Sequence, residues 1–209
     1  MIGILIATRG LVFTQTIDAI EQERRNTWMD TRMYFTHDLS IPECQNDLVQ
    51  RALKDGCSHL LFVEEDIIVP KGCLGQMINK TEDIVFFDYA VQGVSCISRN
   101  EDGKILWGGL GCTMIKKHVF DKVPKPWFRI DKQLRLNDNA WIDVNPAKTY
   151  GGQDIWFFSQ ARENGCSMIQ LDGECSHLKL IELGEREKNK GLHVINERER
   201  IKVHQILNV

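Results

Sequence analysis

Residues 59–70, HLLFVEEDIIVP, decide the fold of this chain. The apolar run that ends at Val63 is short and continuous, which predicts a strand buried on both faces of a parallel sheet. Glu64, Glu65 and Asp66 follow it without a break. The segment therefore predicts a buried strand that delivers carboxylates to one edge of a sheet.

Strand-like and helix-like stretches alternate upstream of this segment. Ser40 followed three residues later by Glu43 is a capping-box signature, and Gly56 is a suitable stop for the helix that it opens. The order β-α-β-α-β predicts a mostly parallel sheet with helices on both faces, as in a Rossmann-like α/β domain. The predicted strands are 2–7 and 31–36, and the predicted helices are 13–25 and 40–56.

Shorter elements follow in the second half of the chain. Residues 129–149 are polar and poorly periodic, and we interpret them as a long loop that closes over a bound ligand. Residues 180–209 are rich in charge and predict a helical tail. We expect one domain over 1–178 and a C-terminal helical extension over 179–209. The other predicted elements are strands 84–87, 112–115 and 167–171, a hairpin of 94–98 with 105–107, and helices 117–122 and 151–164.

Composition and charge exclude several classes of protein. The chain has 209 residues, with 26 Lys and Arg against 29 Asp and Glu, so no overall basic character favours non-specific nucleic-acid binding. Its seven cysteines are irregularly spaced and include no CxxC pair, which argues against a disulfide framework or a zinc knuckle. The N-terminal apolar run is too short for a signal peptide or a membrane span, and we expect a cytoplasmic protein.

Polar residues follow each of the first three predicted strands. Thr8 and Arg9 follow the first strand, Asp38 follows the second, and the acidic residues 64–66 follow the third. Ligands bind at the carboxyl ends of strands in open α/β sheets. Carboxylates there are suited to Mg²⁺ or Mn²⁺, which neutralise a diphosphate. A solvated acidic turn is the alternative interpretation.

The sequence Gly151-Gly152-Gln153-Asp154 opens a predicted helix. Asp154 is suited to capping that helix, since a carboxylate is favourable at a helix N-terminus. A carboxylate at this place is equally suited to act as a general base. The two glycines indicate that another group approaches the backbone closely. Both interpretations of Asp154 stay open at the level of sequence.

Two further features suit ligand binding. His177 offers an imidazole nitrogen, which would complete a Mn²⁺ site with Asp66 if the two ends of the sheet meet. Two tryptophans offer aromatic faces for stacking on sugar rings: Trp107 beside Gly108 and Gly109, and Trp127 between Pro126 and Phe128. A lone histidine is more often structural, and ordinary core packing is the alternative for the aromatic residues.

The order of these motifs is similar to that of GT-A-type nucleotide-sugar glycosyltransferases, close to family 2. Residues 41–70, IPECQNDLVQRALKDGCSHLLFVEEDIIVP, resemble the unit that ends in the DxD motif and a proline. Residues 108–128, GGLGCTMIKKHVFDKVPKPWF, resemble the Gly-rich middle stretch. Residues 151–172, GGQDIWFFSQARENGCSMIQLD, followed by His177, resemble the ED-containing helix, strand and terminal histidine. The resemblance covers about residues 1–178.

Roles for individual residues follow from this resemblance. Asp66 and His177 would hold Mn²⁺ or Mg²⁺, and Asp154 would be the base that deprotonates the acceptor hydroxyl. Three positions depart from the family pattern: Glu64 stands for the first aspartate of DxD, Gln153 for the usual glutamate, and Gln45-Asn46 for Arg-Asn. The candidate nucleotide contacts are Thr8, Arg9, Asp38, Glu64 and Glu65, and the candidate substrate contacts are Trp107, Gly109, Trp127, Gly152 and Gln153.

The resemblance implies a metal-dependent glycosyltransferase that moves a sugar from a nucleotide-sugar to an acceptor hydroxyl, with inversion. UDP- or GDP-sugars are the expected donors. A saccharide, a protein, a small molecule or a modified nucleic-acid base is the expected acceptor. A non-catalytic nucleotide-sugar-binding domain and a sugar-nucleotidyltransferase are the alternatives, whereas the lack of GxGxxG after the first strand disfavours an oxidoreductase. The C-terminal tail could also form an oligomer contact.

Overall fold

The computed structural model describes residues 1–37, 39–130, 133–135, 141–143, 152–182 and 192–196. Its helices are α1 (Thr14–Asn26), α2 (Ile41–Lys54), α3 (Cys73–Ile78), α4 (Val119–Lys122) and α5 (Gln153–Glu163). Its strands are β1 (Ile2–Ala7), β2 (Thr31–Thr36), β3 (His59–Val63), β4 (Ile67–Ile68), β5 (Ile84–Asp88), β6 (Ala90–Val91), β7 (Val94–Ser95), β8 (Ile97–Arg99), β9 (Ile105–Gly108), β10 (Cys112–Lys116), β11 (Gln133–Arg135), β12 (Trp141–Asp143), β13 (Met168–Glu174), β14 (Ser176–Glu182) and β15 (Leu192–Asn196).

A six-stranded sheet in the order β13-β5-β10-β3-β1-β2 forms the centre of the fold. The pairs β1–β2, β1–β3 and β5–β13 are parallel, as predicted. The strand β10 runs antiparallel to both β3 and β5, so the sheet is mixed. The α/β class is confirmed, and the Rossmann-like arrangement holds for the β1-α1-β2-α2-β3 half.

Alternate residues of the central strands feed two separate apolar cores. In β3, Leu60 and Phe62 pack into the core beneath α2 and α5, whereas Leu61 and Val63 pack into the core on the other face. All four of these side chains are almost wholly buried. A strand covered on both faces must be apolar at every position, which explains why β3 is a continuous apolar run.

The start of α2 follows the predicted capping box. The backbone N–H of Ser40 donates to the Glu43 carboxylate at 3.1 Å, and Pro42 occupies the first turn. Further along α2, the Asn46 side-chain amide donates to the Phe128 carbonyl at 2.7 Å and accepts from the Phe128 N–H at 3.2 Å. Asn46 therefore ties the Pro-Trp-Phe segment to α2.

Two predictions about the second half are wrong in part. The stretch 129–149 is not loop throughout, because β11 and β12 form an antiparallel pair within it. The predicted C-terminal helical extension is likewise replaced, where the structure describes it, by the antiparallel strands β14 and β15. Alternating apolar residues in Ser176–Glu182 give the two-residue period of a strand. Residues 183–191 and 197–209, including the expected oligomer contact, lie outside the described residues.

The predicted hairpin of 94–98 with 105–107 also divides differently. Val94–Ser95 pairs with Ala90–Val91, and Ile97–Arg99 pairs with Ile105–Gly108, so two hairpins stand between β5 and β10. After these hairpins, β10 enters the sheet antiparallel to β5. Within the described ranges, every helix is too short or too polar to cross a bilayer.

Candidate active site

Asp66 and His177 meet at the carboxyl edge of the central sheet. The short strand β4 begins directly after Asp66 and pairs with β14, so that Ile67 lies opposite His177. The Nε2 atom of His177 lies 3.3 Å from Oδ2 of Asp66, although 111 positions separate the two residues in the chain. The condition on which this pairing depends, that the two ends of the sheet meet, is therefore fulfilled.

The orientation of the His177 ring is set by its other nitrogen. Nδ1 lies 3.0 Å from the Ala90 carbonyl oxygen, and because that oxygen can only accept, Nδ1 is the donor. In the neutral imidazole, Nε2 then carries a lone pair that faces the Asp66 carboxylate. Two acceptors facing each other are stable only if a proton or another cation lies between them.

Several positive groups surround Asp66. Lys179 Nζ lies 3.5 Å from Oδ2 of Asp66, and an Arg9 guanidinium nitrogen lies 4.0 Å from the same atom. Burial opposes ionisation of Asp66, but the hydrogen bond to His177 and the charges of His177, Lys179 and Arg9 outweigh it and lower the pKa of Asp66. Burial also opposes the imidazolium, but Asp66 and the Ala90 carbonyl outweigh it and raise the pKa of His177.

Glu65 holds the loop that follows β1. Its Oε2 accepts the backbone N–H of Arg9 at 2.7 Å, and its Oε1 pairs with the Arg9 guanidinium. The Glu65 carbonyl accepts the N–H of Phe13 at 3.0 Å, and the Thr8 hydroxyl accepts the N–H of Gly10 at 2.7 Å. Glu65 and Thr8 are buried, whereas the Arg9 side chain is 62% exposed at the sheet edge. These contacts place Arg9, rather than Glu65 or Thr8, where a ligand can reach it.

Glu64 belongs to the same carboxyl edge. It is half-buried, and the nearby Tyr89 hydroxyl favours its ionised form. Burial raises the pKa of Glu64 to about 7, and the negative charges of Asp66 and Asp154 add to the shift. The charge of Asp154, in the first turn of α5, therefore acts on Glu64 at the end of β3.

Asp154 occupies the first turn of α5 and is half-buried. Its Oδ1 accepts the N–H of Ile155 at 2.8 Å, but the N-cap residue of α5 is Gly152, so Asp154 serves the first turn without being its cap. Burial raises the pKa of Asp154, while hydrogen bonds from backbone N–H groups act in the opposite direction. A carboxylate with a raised pKa is a stronger base while it remains ionised, so this environment is compatible with a role as general base.

Replacing Glu64 by Gln should raise the stability of the ligand-free protein at pH 8 by about 1–3 kcal/mol. The pKa of Glu64 in the folded protein, about 7, exceeds the ordinary value of 4.5, so the wild type loses stability as the pH rises through this window. Above pH 7 the Glu64 carboxyl group is ionised in the folded wild type, and the full cost of burying its charge is present. At pH 5 the same group is neutral in the folded wild type. Gln is close to Glu in size and carries no charge, so the substitution removes the charge alone.

Urea unfolding at pH 5 and pH 8, without divalent cations, measures this effect. Glu101→Gln, in the exposed turn between β8 and β9, is the matched control and should change stability by under about 0.5 kcal/mol at either pH. An equal gain for Glu64→Gln at both pH values would contradict the charge explanation.

The Gly-rich stretch before β10 is explained by the ring of Tyr89. A Cβ atom on Gly109 or Gly111 would clash with that ring, and one on Gly108 would clash with Phe86. Glycine at these positions therefore lets Tyr89 lie against the backbone and reach Glu64. The contact of Gly109 with a substrate stays a prediction, but side-chain packing already accounts for the absence of a Cβ there.

The two predicted aromatic contacts differ in their surroundings. Trp127 is buried, its ring meets Phe120 edge-on, and its indole N–H donates to the Phe120 carbonyl at 2.8 Å. These contacts fit the core-packing interpretation. Trp107 is half-buried on β9, which packs against α5. Trp107 also packs against the core, but it is less enclosed than Trp127.

The other predicted contacts lie around the start of α5. Gly152 has a φ of +94°, a conformation that favours glycine and explains this position without a ligand. Gln153 is buried, and its Oε1 has no hydrogen-bond partner among the described residues. Asp38 and Gly151 lie outside the described residues, so the predicted nucleotide contact of Asp38 stays a prediction.

Two residues of the site escaped the sequence analysis. Tyr89 follows the end of β5 and so lies at the same edge as the residues after β3. Lys179 lies two residues beyond His177 in β14, and the two-residue period of a strand puts both side chains on one face. That period was the available signal for Lys179, and it was hidden by the expectation of a helix.

Comparison with known proteins supports the fold. Neither a protein-family model nor a curated protein sequence matches the chain. The crystal structure of A197 from STIV superposes with a TM-score of 0.58 at 16% identity, over 87% of this chain and 86% of A197. The chain therefore shares the fold of A197.

A second structure is less similar. A protein from Desulfovibrio desulfuricans G20, described as a "putative nucleotide-diphospho-sugar transferase", superposes with a TM-score of 0.44 at 14% identity. The match covers 81% of this chain and 79% of that protein. This similarity is too low to support a statement about fold or activity.

Proposed function

We propose that this protein is a metal-dependent glycosyltransferase that moves a sugar from a UDP- or GDP-sugar to an acceptor hydroxyl with inversion. One observation carries the proposal. Residues from three separate parts of the chain act on one another at the carboxyl edge of the sheet: His177 contacts Asp66, and the charges of Asp66 and Asp154 both act on Glu64. Ligands of open α/β sheets bind at this edge.

Asp66 and His177 fit a Mn²⁺ or Mg²⁺ ion. The lone pair of neutral His177 faces the Asp66 carboxylate, and these two donors suit one cation between them. The described residues contain no group of three or more His, Cys, Asp or Glu that could hold a metal ion. Two protein ligands are nevertheless sufficient where substrate phosphates and water complete the coordination. The bound ion would neutralise charge that develops on the departing diphosphate.

The side chains of the protein supply the remaining functions. Asp154 would accept the proton of the acceptor hydroxyl while the hydroxyl oxygen forms its bond to the anomeric carbon. The bond from that carbon to the diphosphate oxygen breaks at the same time, and the electron pair leaves with the diphosphate. A single displacement inverts the anomeric centre. Arg9, exposed at the same edge, would pair with a phosphate oxygen.

A panel of UDP-, GDP-, CMP- and dTDP-sugars, each with and without Mn²⁺, tests the proposal. We expect one nucleotide class to raise the midpoint of thermal unfolding in a Mn²⁺-dependent way, because a ligand that binds only the native state stabilises it. The same nucleotide-sugar should release its nucleoside diphosphate when incubated with the protein and an acceptor mixture. Absence of any shift across the panel would overturn the proposal. A shift without turnover would identify a non-catalytic binding domain instead.

A further inference from the structure

Lys179 lies beside the pair formed by Asp66 and His177. It follows His177 by two residues in β14, so both side chains project from the same face of that strand. Its Nζ atom is 3.5 Å from Oδ2 of Asp66, the oxygen that also faces His177 Nε2 at 3.3 Å. The Lys179 side chain is 33% exposed, so its ammonium group lies between the buried site and the solvent.

The charges at this edge make a cation necessary for binding a diphosphate. Glu64, Glu65, Asp66 and Asp154 bring four carboxyl groups to the same edge, and a diphosphate entering there would be repelled by those that are ionised. The exposed guanidinium of Arg9 pairs with Glu65, so its charge offsets only one of these four carboxyl groups. Of the positive groups near Asp66, Lys179 is the one with a strongly hydrated ammonium on a flexible stem, a suitable point charge for phosphate.

The chain also departs from its family pattern at a charged position. Gln45-Asn46 replaces the Arg-Asn pair, and Asn46 hydrogen-bonds to the backbone of Phe128. Gln45 is buried. Neither side chain supplies positive charge, so a cation that acts on the diphosphate has to come from another element.

We propose that Lys179 binds the diphosphate of the nucleotide-sugar, turning its ammonium group from Asp66 to a phosphate oxygen when the ligand enters. The distance of 3.5 Å to Asp66 is at the outer limit of a hydrogen bond, so this contact is weak enough to be exchanged for a phosphate. The inference rests on the proposed function, because it assigns the ligand of the same site. A purely structural lysine would neutralise Asp66 and have no preference between ligands with and without phosphate.

The test compares a nucleoside diphosphate with its nucleoside, using UDP with uridine and GDP with guanosine. Affinities are measured by ligand-observed NMR and calorimetry on the full chain, in EDTA and in Mn²⁺. We expect Lys179→Met to weaken binding of the diphosphate by about tenfold and to leave nucleoside affinity unchanged, because only the diphosphate loses a charged partner. Lys179→Arg, which keeps the charge, should recover part of the loss.

Lys116→Met is the matched control. Lys116 ends β10 opposite His59 at the start of β3, so it lies at the other edge of the sheet, and its Nζ donates to the Thr81 carbonyl at 2.7 Å. This variant should leave both affinities unchanged. Thermal unfolding of each ligand-free variant verifies that the compared proteins are folded.

The outcomes separate this inference from the proposed function. An unchanged diphosphate affinity in Lys179→Met, or an equal loss for nucleoside and diphosphate, overturns the inference while the proposed function stands. A wild-type protein that binds neither UDP nor GDP under any condition overturns the proposed function and the inference with it.

Discussion

Asp154→Asn should lower the rate of sugar transfer by about a hundredfold to ten-thousandfold while nucleotide-sugar affinity stays within about twofold. The amide cannot accept the proton of the acceptor hydroxyl. It still offers an oxygen to the Ile155 N–H, so the first turn of α5 keeps its hydrogen bond. The two effects separate because the base acts in the transition state and does not hold the donor.

Steady-state release of nucleoside diphosphate and calorimetric affinity measure the two quantities for Asp154→Asn. Asp18→Asn, an exposed substitution on α1, is the control and should leave both unchanged. A parallel loss of turnover and affinity would show that Asp154 serves the structure of the site instead. Full turnover in Asp154→Asn would assign the proton transfer to another group.

The first half of the fold could be predicted because its signals are local. The strand predicted at 31–36 has the bounds of β2, and the capping box at Ser40 and Glu43 opens α2 as predicted. Each of these signals depends on residues within one turn or one strand of each other. Short connections between a strand, a helix and a parallel strand then leave little freedom in the arrangement.

The direction of β10 and the strands of the C-terminal segment could not be predicted from local signals. The apolar pattern of 112–116 predicts a strand but not its direction, which is set by its pairing with the distant strands β3 and β5. In the C-terminal segment, the alternating apolar and polar residues of Ser176–Glu182 precede a long charged stretch whose composition favours a helix. The strand forms because β4 and β15 offer pairing partners, and pairing between distant segments leaves no local signal.

The candidate site shows the same division between local and distant information. The acidic residues after β3 could be placed at the sheet edge from connectivity alone. The contact of Asp66 with His177 depends on the pairing of β4 with β14. The sequence could therefore predict this contact only on the condition that the two ends of the sheet meet. Tyr89 was missed because its role depends on the glycines that make room for its ring.

Asp66→Ala and His177→Ala should each reduce the Mn²⁺-dependent part of nucleotide affinity by on the order of a hundredfold. The double variant should lose no more than the worse of the two single variants. This non-additivity is expected because both side chains act through one ion, and removing either ligand already abolishes the shared interaction. The measurement is nucleotide affinity with and without Mn²⁺ for the wild type and the three variants.

The ratio of affinities with and without Mn²⁺ distinguishes a metal site from a plain ion pair. If Asp66 and His177 form only a carboxylate–imidazolium pair, each single variant loses stability because it leaves a buried group without its partner, and Mn²⁺ dependence does not change. His118→Ala is the control, because His118 pairs with Asp83 at 2.7 Å outside the site. An additive loss in the double variant would contradict a shared ion, since independent sites add and ligands of one ion do not.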